Sequence, residues 1–528
     1  MVEELVGQAP PYTLYAKRFT LYAMKKGFVY LVGAGPGRAD LITVRGAEVL
    51  GMADCVIYDK LANPALLKFA RKDVEIIHVP KRIGTGSCTQ DQINRMLVEN
   101  ASAGKIVVRL KGGDPCIFGR ASEELAALTQ AGIGFEIVPG VTAGVAVASY
   151  AGVMLTDRDT SSQVAFITGQ ESPGKEETGI DWNLLAKFNG TIVFYMGIGH
   201  LQSIAQRLIE EGRNADTPAA VIAETTLPTQ RIVRAPLGKI HEECERRKIK
   251  PPAIVVVGDV AAGDTRFDWF ASRPLFGKTI VATRDAEGNA DFAGKIIARG
   301  GNPLPFATLR IKPLTDSNEF LRALAQLGKY KWVIFTSANG VTIFFEALEP
   351  LGKDARVMGP AKVAAIGAKT AERLASFGVR ADFVPNVFTG KELGRQLIGF
   401  ANVKGKSILL LRSQIASNEL VEILSQAGAE VDNVAIYTAV TEKKDSARLA
   451  SAIHEGSVDW ITFASPSSVD GFFEQVAADV VRSGGVKVAS IGPVTSARLK
   501  QLGVKVDVTA QEHTFDGLLN AIEQMETQ

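Results

Sequence analysis

Cysteine and histidine are scarce in this chain of 528 residues, at four and five. Cys55, Cys88, Cys116 and Cys244 form no CxxC pair and the histidines no HxxxH spacing. The pattern therefore excludes a disulfide scaffold and a structural zinc site, predicts no metal, and fits a reducing cytoplasm. A dominant sign of charge is lacking too. Lys and Arg number 59 against 57 Asp and Glu, a net of +2, which leaves no global field to draw nucleic acid; an anionic ligand would need a local group of cations. Nor is there an unbroken, strongly apolar run of about 18 residues to span a membrane. The nearest stretch, residues 138–155, is rich in Gly, Ala and Ser and predicts tight helix packing. Residues 1–26 contain Pro10, Pro11 and interrupting charges, against a signal peptide. Met24, directly before KKGFVYLVGAG, leaves this N-terminal extension either an over-called start or a short ordered arm.

What is present is an ordinary globular composition, 46% hydrophobic and 22% charged, over a length that predicts three or four units at roughly 100–200 residues each. Short β-branched runs alternate with longer amphipathic stretches: VYLVGAG, CVIYDK, KIVVRLKGG, QVAFITG, TIVFYMG and AIVVVGD, then KTIVATR, WVIFTS, VAAIGA, SILLLR, WITFAS and VASIGP. Strands that are apolar throughout are buried on both faces, so the fold class is α/β, with sheets covered by helices. Periodicity lapses over 263–276, where charge, aromatics and a proline gather, and a linker is expected at 263–275.

Beyond that point the sequence repeats. GKTIVATR recurs as GKSILLLR at an offset of 128 residues (277 to 405), kept by Gly300 and Gly428 and by Trp332 and Trp460. AAIGAKTAERLASFGV and ASIGPVTSARLKQLGV align at an offset of 125 (367 to 492), as do Thr389 and Thr514. So long a period predicts two similar α/β lobes facing a cleft instead of a solenoid. In each copy a strand ends in small residues and hydroxyls, Thr336 and Ser337 or Ala464 and Ser465. Such positions either bind ligand beyond the carboxyl ends of the strands or simply cap the following helix.

In the first half, VYLVGAGPG sets Gly33, Gly35 and Gly37 in a turn after a buried strand, and Asp59 closes the next strand. A dinucleotide-binding oxidoreductase is one reading of such a loop, but the spacing is GxGxG with Pro36 inside it. KIVVRLKGGDPCIFGR, VPGVTAGVAVASYAGVMLTDR and IVFYMGIGHL follow, and they call for backbone groups and one carboxylate around a folded nucleoside, with no helix-borne pyrophosphate site.

VYLVGAGPGxxxLxT, YDKL, VRLKGGDPxxFGR, PGVTA and FYMG, in this order over residues 27–262, resemble uroporphyrinogen-III C-methyltransferase, of the S-adenosylmethionine-dependent tetrapyrrole methylase family. The resemblance implies a two-lobed α/β domain with the donor between the lobes, and a homodimer formed through this half. By position the donor contacts would be Pro36, Gly112, Gly113, Asp114, Ile117, Thr142, Ala143 and Met196, with Thr225 where a glycine is usual. Asp114 would either bond the ribose or orient its loop. The proton acceptor and donor would fall on Asp59 and Lys81; the alternative roles are binding of a pyrrole N–H by Asp59 and of substrate carboxylates by Lys81 with Arg82. Asp157, Gln170, Ala121 and Ser122 depart from the family pattern on the substrate side.

Residues 276–528 resemble uroporphyrinogen-III synthase through GKTIVATR, FTSANGV, IGxxTAERLxxFG, FTGKEL, AIYTAV and TFASPSSV. The resemblance implies two lobes, about 276–311 plus 440–528 and 314–437, joined by a two-stranded ladder. Arg284, Thr336, Ser337, Thr389, Lys391, Arg412, Ser465 and Thr514 would bind the carboxylates of hydroxymethylbilane, and Tyr437 would assist departure of its hydroxyl. Together the halves imply one enzyme that closes hydroxymethylbilane to uroporphyrinogen III with inversion of ring D and methylates it at C2 and C7 to precorrin-2. The alternative is a catalytic first half carrying a non-catalytic tetrapyrrole-binding module.

Overall fold

A computed structural model describes residues 27–79, 88–170, 179–441 and 446–527. The chain falls into two compact units, one reaching Lys278 and including Ile297–Asn302, the other holding Thr279–Ile296 and the residues from Pro303 onward.

The first unit contains two five-stranded sheets. Strands β1 (Phe28–Gly33), β2 (Cys55–Asp59), β3 (Glu75–Val79), β4 (Ile106–Lys111) and β5 (Gly134–Val138) form an all-parallel sheet in the order β3-β2-β4-β1-β5. Alternate residues of β1 enter two different cores. Val29 and Leu31 pack with Ile93, Leu97 and Leu128, whereas Tyr30 and Val32 pack with Val49 and Leu50. Two-sided burial is thus the reason this strand is apolar throughout. Strands β6 (Val164–Thr168), β7 (Thr191–Tyr195), β8 (Pro218–Ala223), β9 (Arg231–Pro236) and β10 (Ala253–Val257) form a mixed sheet in the order β6-β7-β10-β8-β9.

The second unit also holds two sheets, built from β11 (Thr279–Ala282), β12 (Asn302–Pro305), β13 (Leu309–Pro313), β14 (Trp332–Phe335), β15 (Lys362–Ala365), β16 (Ser407–Ser413), β17 (Glu430–Thr441), β18 (Trp460–Phe463), β19 (Lys487–Ser490) and β20 (Val508–Thr509). Their orders are β12-β11-β18-β19-β20 and β13-β17-β16-β14-β15. The long antiparallel pair β13 and β17, with Pro313 opposite Tyr437, carries the chain into and out of the second lobe. The repeat seen in the sequence is physical. Ser337 and Ser465 follow β14 and β18, and each caps its helix with its side chain, at φ/ψ of −164/155° and −167/159°.

The segment 263–275 is ordered against the first unit. Phe270 is 1% exposed and packs edge-on against Tyr150 and Phe276, while the Trp269 indole N–H donates to the Ser149 carbonyl at 2.6 Å. Among the described residues no helix is long and apolar enough to cross a membrane, and no group of three His, Cys, Asp or Glu could hold a metal ion.

Candidate functional site

In the first unit the turns after β1, β4 and β5 meet at the carboxyl ends of the parallel strands. Gly35 and Gly113 exchange backbone hydrogen bonds of 3.2 and 2.8 Å, and the Asp114 carboxylate accepts from the amides of Gly140 (3.0 Å) and Cys116 (2.8 Å). Asp114 therefore orients its loop, tying the turn after β4 to the turn after β5. The two glycines before it differ. A Cβ on Gly112 would fall 2.7 Å from Leu61 Cβ, so its bareness serves packing. Gly113, at φ +68°, turns its open side toward Thr142, whose Cα would lie 3.7 Å from an added Cβ.

Opposite stand residues of the second sheet. The helix Ala143–Ala151 begins after Thr142, whose hydroxyl bonds the Tyr195 hydroxyl at 2.8 Å; that phenol also accepts from the Gly144 amide at 2.9 Å. Burial pushes the Tyr195 pKa up, against the lowering by these two bonds. Phe118 lies 5.1 Å from the Tyr195 ring, and Ile117 and Ala143 pack against the same core. Met196, directly after β7, is 47% exposed and held at φ +54°. Phe118, Arg120, Glu224 and Thr226 also have positive φ, so left-handed strain gathers around this site.

Thr225 is buried, and its hydroxyl donates to Gln230 Oε1 at 3.3 Å, while Gln230 Nε2 donates to the Tyr150 carbonyl at 2.8 Å. Next to it, Thr226 Oγ1 accepts from the Arg38 amide at 3.1 Å, which fastens the loop containing Pro36 to this segment. The set comprises glycine-turn backbone groups, a fixed carboxylate, hydroxyls, and an apolar wall ending in an exposed thioether. Such a set fits a nucleoside carrying a sulfonium. It does not fit a pyrophosphate, because only a three-residue 3₁₀ turn, Ala39–Leu41, follows Gly37 and the first α-helix starts at Val44.

Asp59, at the end of β2, receives Arg109 Nη2 at 2.6 Å, so it is the partner of a fully buried guanidinium. Its register partner on β3 is Val79; Lys81 and Arg82 lie outside the described residues. Asp157 takes two amides and the Thr160 hydroxyl on one oxygen, closing its own turn. Sequence reasoning passed over Arg109. Its signal was two cations, Arg109 and Lys111, two apart in a strand otherwise apolar and therefore pointing into one core.

In the second unit the expected carboxylate binders divide. Ser337, Ser465, Thr389 and Thr514 each accept from an amide of the helix they precede. Tyr437 donates to Ser337 Oγ at 2.9 Å, making one hydroxyl pair at the start of the helix Ala338–Leu348, and Thr336 Oγ1 faces the Leu411 carbonyl at 3.5 Å. Arg412 is buried at 4% exposure and donates to the Ser417 and Ala416 carbonyls and to Asn418 Oδ1, so its fork braces the loop after β16, and burial lowers its pKa. Lys391 lies 3.5 Å from Glu419. Arg284, at the end of β11, lies over the Phe515 ring at 5.5 Å, and Lys369 of the other lobe reaches the same ring at 5.8 Å and Asp291 at 3.7 Å. Lys369 was not singled out from sequence; it sits in the first turn of the repeated helix after Gly367.

The family described as Tetrapyrrole (Corrin/Porphyrin) Methylases matches residues 29–241, and that described as Uroporphyrinogen-III synthase HemD matches residues 290–520. The porphyrin biosynthesis protein HemD of Ruminiclostridium josui is 36% identical over 501 residues, 94% of this chain and 98% of that protein. The S-adenosyl-L-methionine-dependent uroporphyrinogen III methyltransferase of Methanosarcina barkeri is 47% identical over 234 residues, 44% of this chain and 92% of that protein. The solved uroporphyrin-III C-methyl transferase of Thermus thermophilus, complexed with S-adenyl homocysteine, is 35% identical and matches 45% of this chain and 99% of its own, with a TM-score of 0.39.

Proposed function

For a chain that belongs to the family joining a tetrapyrrole methylase to a uroporphyrinogen-III synthase, with both activities and S-adenosylmethionine as methyl donor, we propose two consecutive reactions. The second unit closes hydroxymethylbilane to uroporphyrinogen III with ring D inverted, and the first unit methylates that product at C2 and C7 to precorrin-2.

The observation that carries the methyl-transfer site is the meeting of the turns after β1, β4 and β5, fastened by Asp114, with strained, exposed Met196. When bound, the donor supplies an electrophilic methyl group. An electron-rich pyrrole carbon needs little activation, so the protein's task is alignment. In this reading Gly113, Thr142 and Ala143 bear on the nucleoside, Asp114 holds the loop, and Asp59 takes a pyrrole N–H or its proton. Pro36, Ile117 and Thr225 complete the surround.

In the synthase cleft the bilane hydroxyl leaves as water with help from Tyr437, whose proton is already directed along a hydroxyl pair with Ser337. Helix N-termini capped by Ser337, Ser465, Thr389 and Thr514, together with Arg284, receive the carboxylates. A reducing cytoplasmic setting is supported by four free cysteines, and a homodimer through the methyltransferase half by exposed Phe135 and Ile137 on edge strand β5.

The test supplies hydroxymethylbilane to the purified protein with and without S-adenosylmethionine and analyses the oxidised products. Isomer III without donor and a dimethylated product with it are expected. Isomer I alone, with tight bilane binding, would reduce the second unit to a binding module.

A further inference from the structure

The motif RLKGGDP contributes two cations that neither donor nor substrate contact explains. Arg109 and Lys111 are 0% and 2% exposed, side by side on one face of β4. Between them lies Glu124, also fully buried, on the helix Ala121–Gln130. Glu124 Oε1 accepts from Lys111 Nζ at 2.8 Å, from Arg109 Nε at 3.2 Å and from Gln90 Nε2 at 3.2 Å. Glu124 Oε2 is buried with no partner among the described residues. Arg109 carries the network outward: Nη1 donates to the Ile57 carbonyl at 3.4 Å and Nη2 to Asp59 Oδ1 at 2.6 Å.

As a device for stability this arrangement is poor. Buried ion pairs roughly break even against apolar packing, and an unpartnered carboxylate oxygen adds a further desolvation cost. As a way of fixing one partly exposed carboxylate it is coherent. Two cations balance two carboxylates, and because Lys111 also serves Glu124, the Arg109 fork can lie flat between Glu124 and Asp59. Burial lowers the Lys111 pKa and is only partly offset by Glu124. For Arg109, burial is outweighed by Asp59 and Glu124, which leave its pKa raised and its charge permanent.

We propose that Arg109 is a positioning residue for methyl transfer. Seated by Glu124 and Lys111, it holds the Asp59 carboxylate with one oxygen engaged and the other turned to the pyrrole. This rests on the reading of Asp59 as a substrate-facing carboxylate, and either role given to Asp59, proton acceptor or partner of a pyrrole N–H, needs an acceptor oxygen held in a fixed direction.

The experiment separates kcat from KM for methylation of uroporphyrinogen III by the full chain. Arg109→Gln should lower kcat by about tenfold or more, because a misplaced Asp59 spoils the alignment of substrate with donor. Arg109→Lys, which keeps a donor facing Asp59, should recover part of the loss, and Glu124→Gln, which loosens the seat of Arg109, should lower kcat less than Arg109→Gln does. S-adenosylmethionine binding by equilibrium dialysis should stay within about threefold of wild type in all three. A merely structural network would lower the unfolding temperature with no change in kcat. That result, or an Arg109→Lys variant no more active than Arg109→Gln, would overturn the proposal. Should Arg109→Gln not fold, a kcat within about twofold of wild type in both Glu124→Gln and Arg109→Lys would overturn it. Wild-type protein without methylated product would instead remove the reading on which it rests.

Discussion

Replacing Asp114 with alanine separates loop geometry from chemistry. The carboxylate accepts from the Gly140 amide at 3.0 Å, a partly buried bond between loops 26 residues apart, and from the exposed Cys116 amide at 2.8 Å. Hydrogen bonds to a charged acceptor contribute about 1.5–3 kcal/mol, and ordinary or exposed ones about 0.5–1.5 kcal/mol. Asp114→Ala should thus cost roughly 2–4.5 kcal/mol of loop order. If ligand binding must restore that order, the donor affinity falls by roughly 30- to 1,600-fold, at 1.4 kcal/mol per tenfold. Asp114→Asn keeps one acceptor oxygen but presents an amide group to the other N–H, so it should fall between. Equilibrium dialysis with S-adenosylmethionine measures the affinity, and conversion of hydroxymethylbilane to isomer III by the same preparation serves as the internal control, expected to be unchanged. Donor affinity within threefold of wild type in Asp114→Ala would refute the assignment of this carboxylate to the donor loop. Loss of ring closure as well would refute the independence of the two units.

Phe270→Ala, which removes a fully buried ring from the segment before β11, should destabilise the first unit by about 3–5 kcal/mol in urea unfolding; a change below about 1 kcal/mol would mean that the segment does not belong to that unit. Arg284→Met should raise the KM for hydroxymethylbilane several-fold, whereas Arg412→Met should lower thermal stability and leave that KM within about twofold; the reverse pattern would return Arg412 to the ligand. The Asp432 carboxyl is held below its ordinary range first by the Tyr330 hydroxyl and then by Lys329. Its stabilisation is present above the unfolded carboxylate pKa of about 3.9 and lost as pH falls through the lower folded value. The unfolding temperatures of wild type and Asp432→Asn should therefore differ at pH 7 and draw together as pH falls below the unfolded carboxylate value, and a gap that persists undiminished in acid would contradict the pairing.

Features encoded in local chain chemistry are legible in the sequence. β1 is apolar throughout because helices cover both faces, and the duplicated helix starts could be matched because Ser337 and Ser465 do the same capping task in both copies. Partners far apart in sequence were not legible. Nothing near Asp114 announces that Gly140 supplies its amide. Likewise nothing near Arg412 says whether its fork meets a ligand or the carbonyls at 416 and 417, since that depends on how the loop after β16 curls back. Arg109 and Lys111 are the intermediate case: alternation in a buried strand shows that they share a core, but only the fold supplies Glu124 and Asp59.

The same distinction changes what the near-neutral charge means. A ligand with many carboxylates calls for cations, yet Arg109, Lys111 and Arg412 are all committed inside the protein. Among the described residues Arg284, Lys369 and Lys391 are exposed cations of the second unit, and solvent screening keeps each contribution small. In the proposed cleft helix N-termini would add anion-binding capacity, and their amides and partial positive charge add nothing to the formal count. Ser337, Ser465, Thr389 and Thr514 each stand at one of these termini, and their hydroxyls already accept from helix amides. Each can still donate its own proton to a carboxylate, so capping and ligand binding are compatible duties of the same side chain.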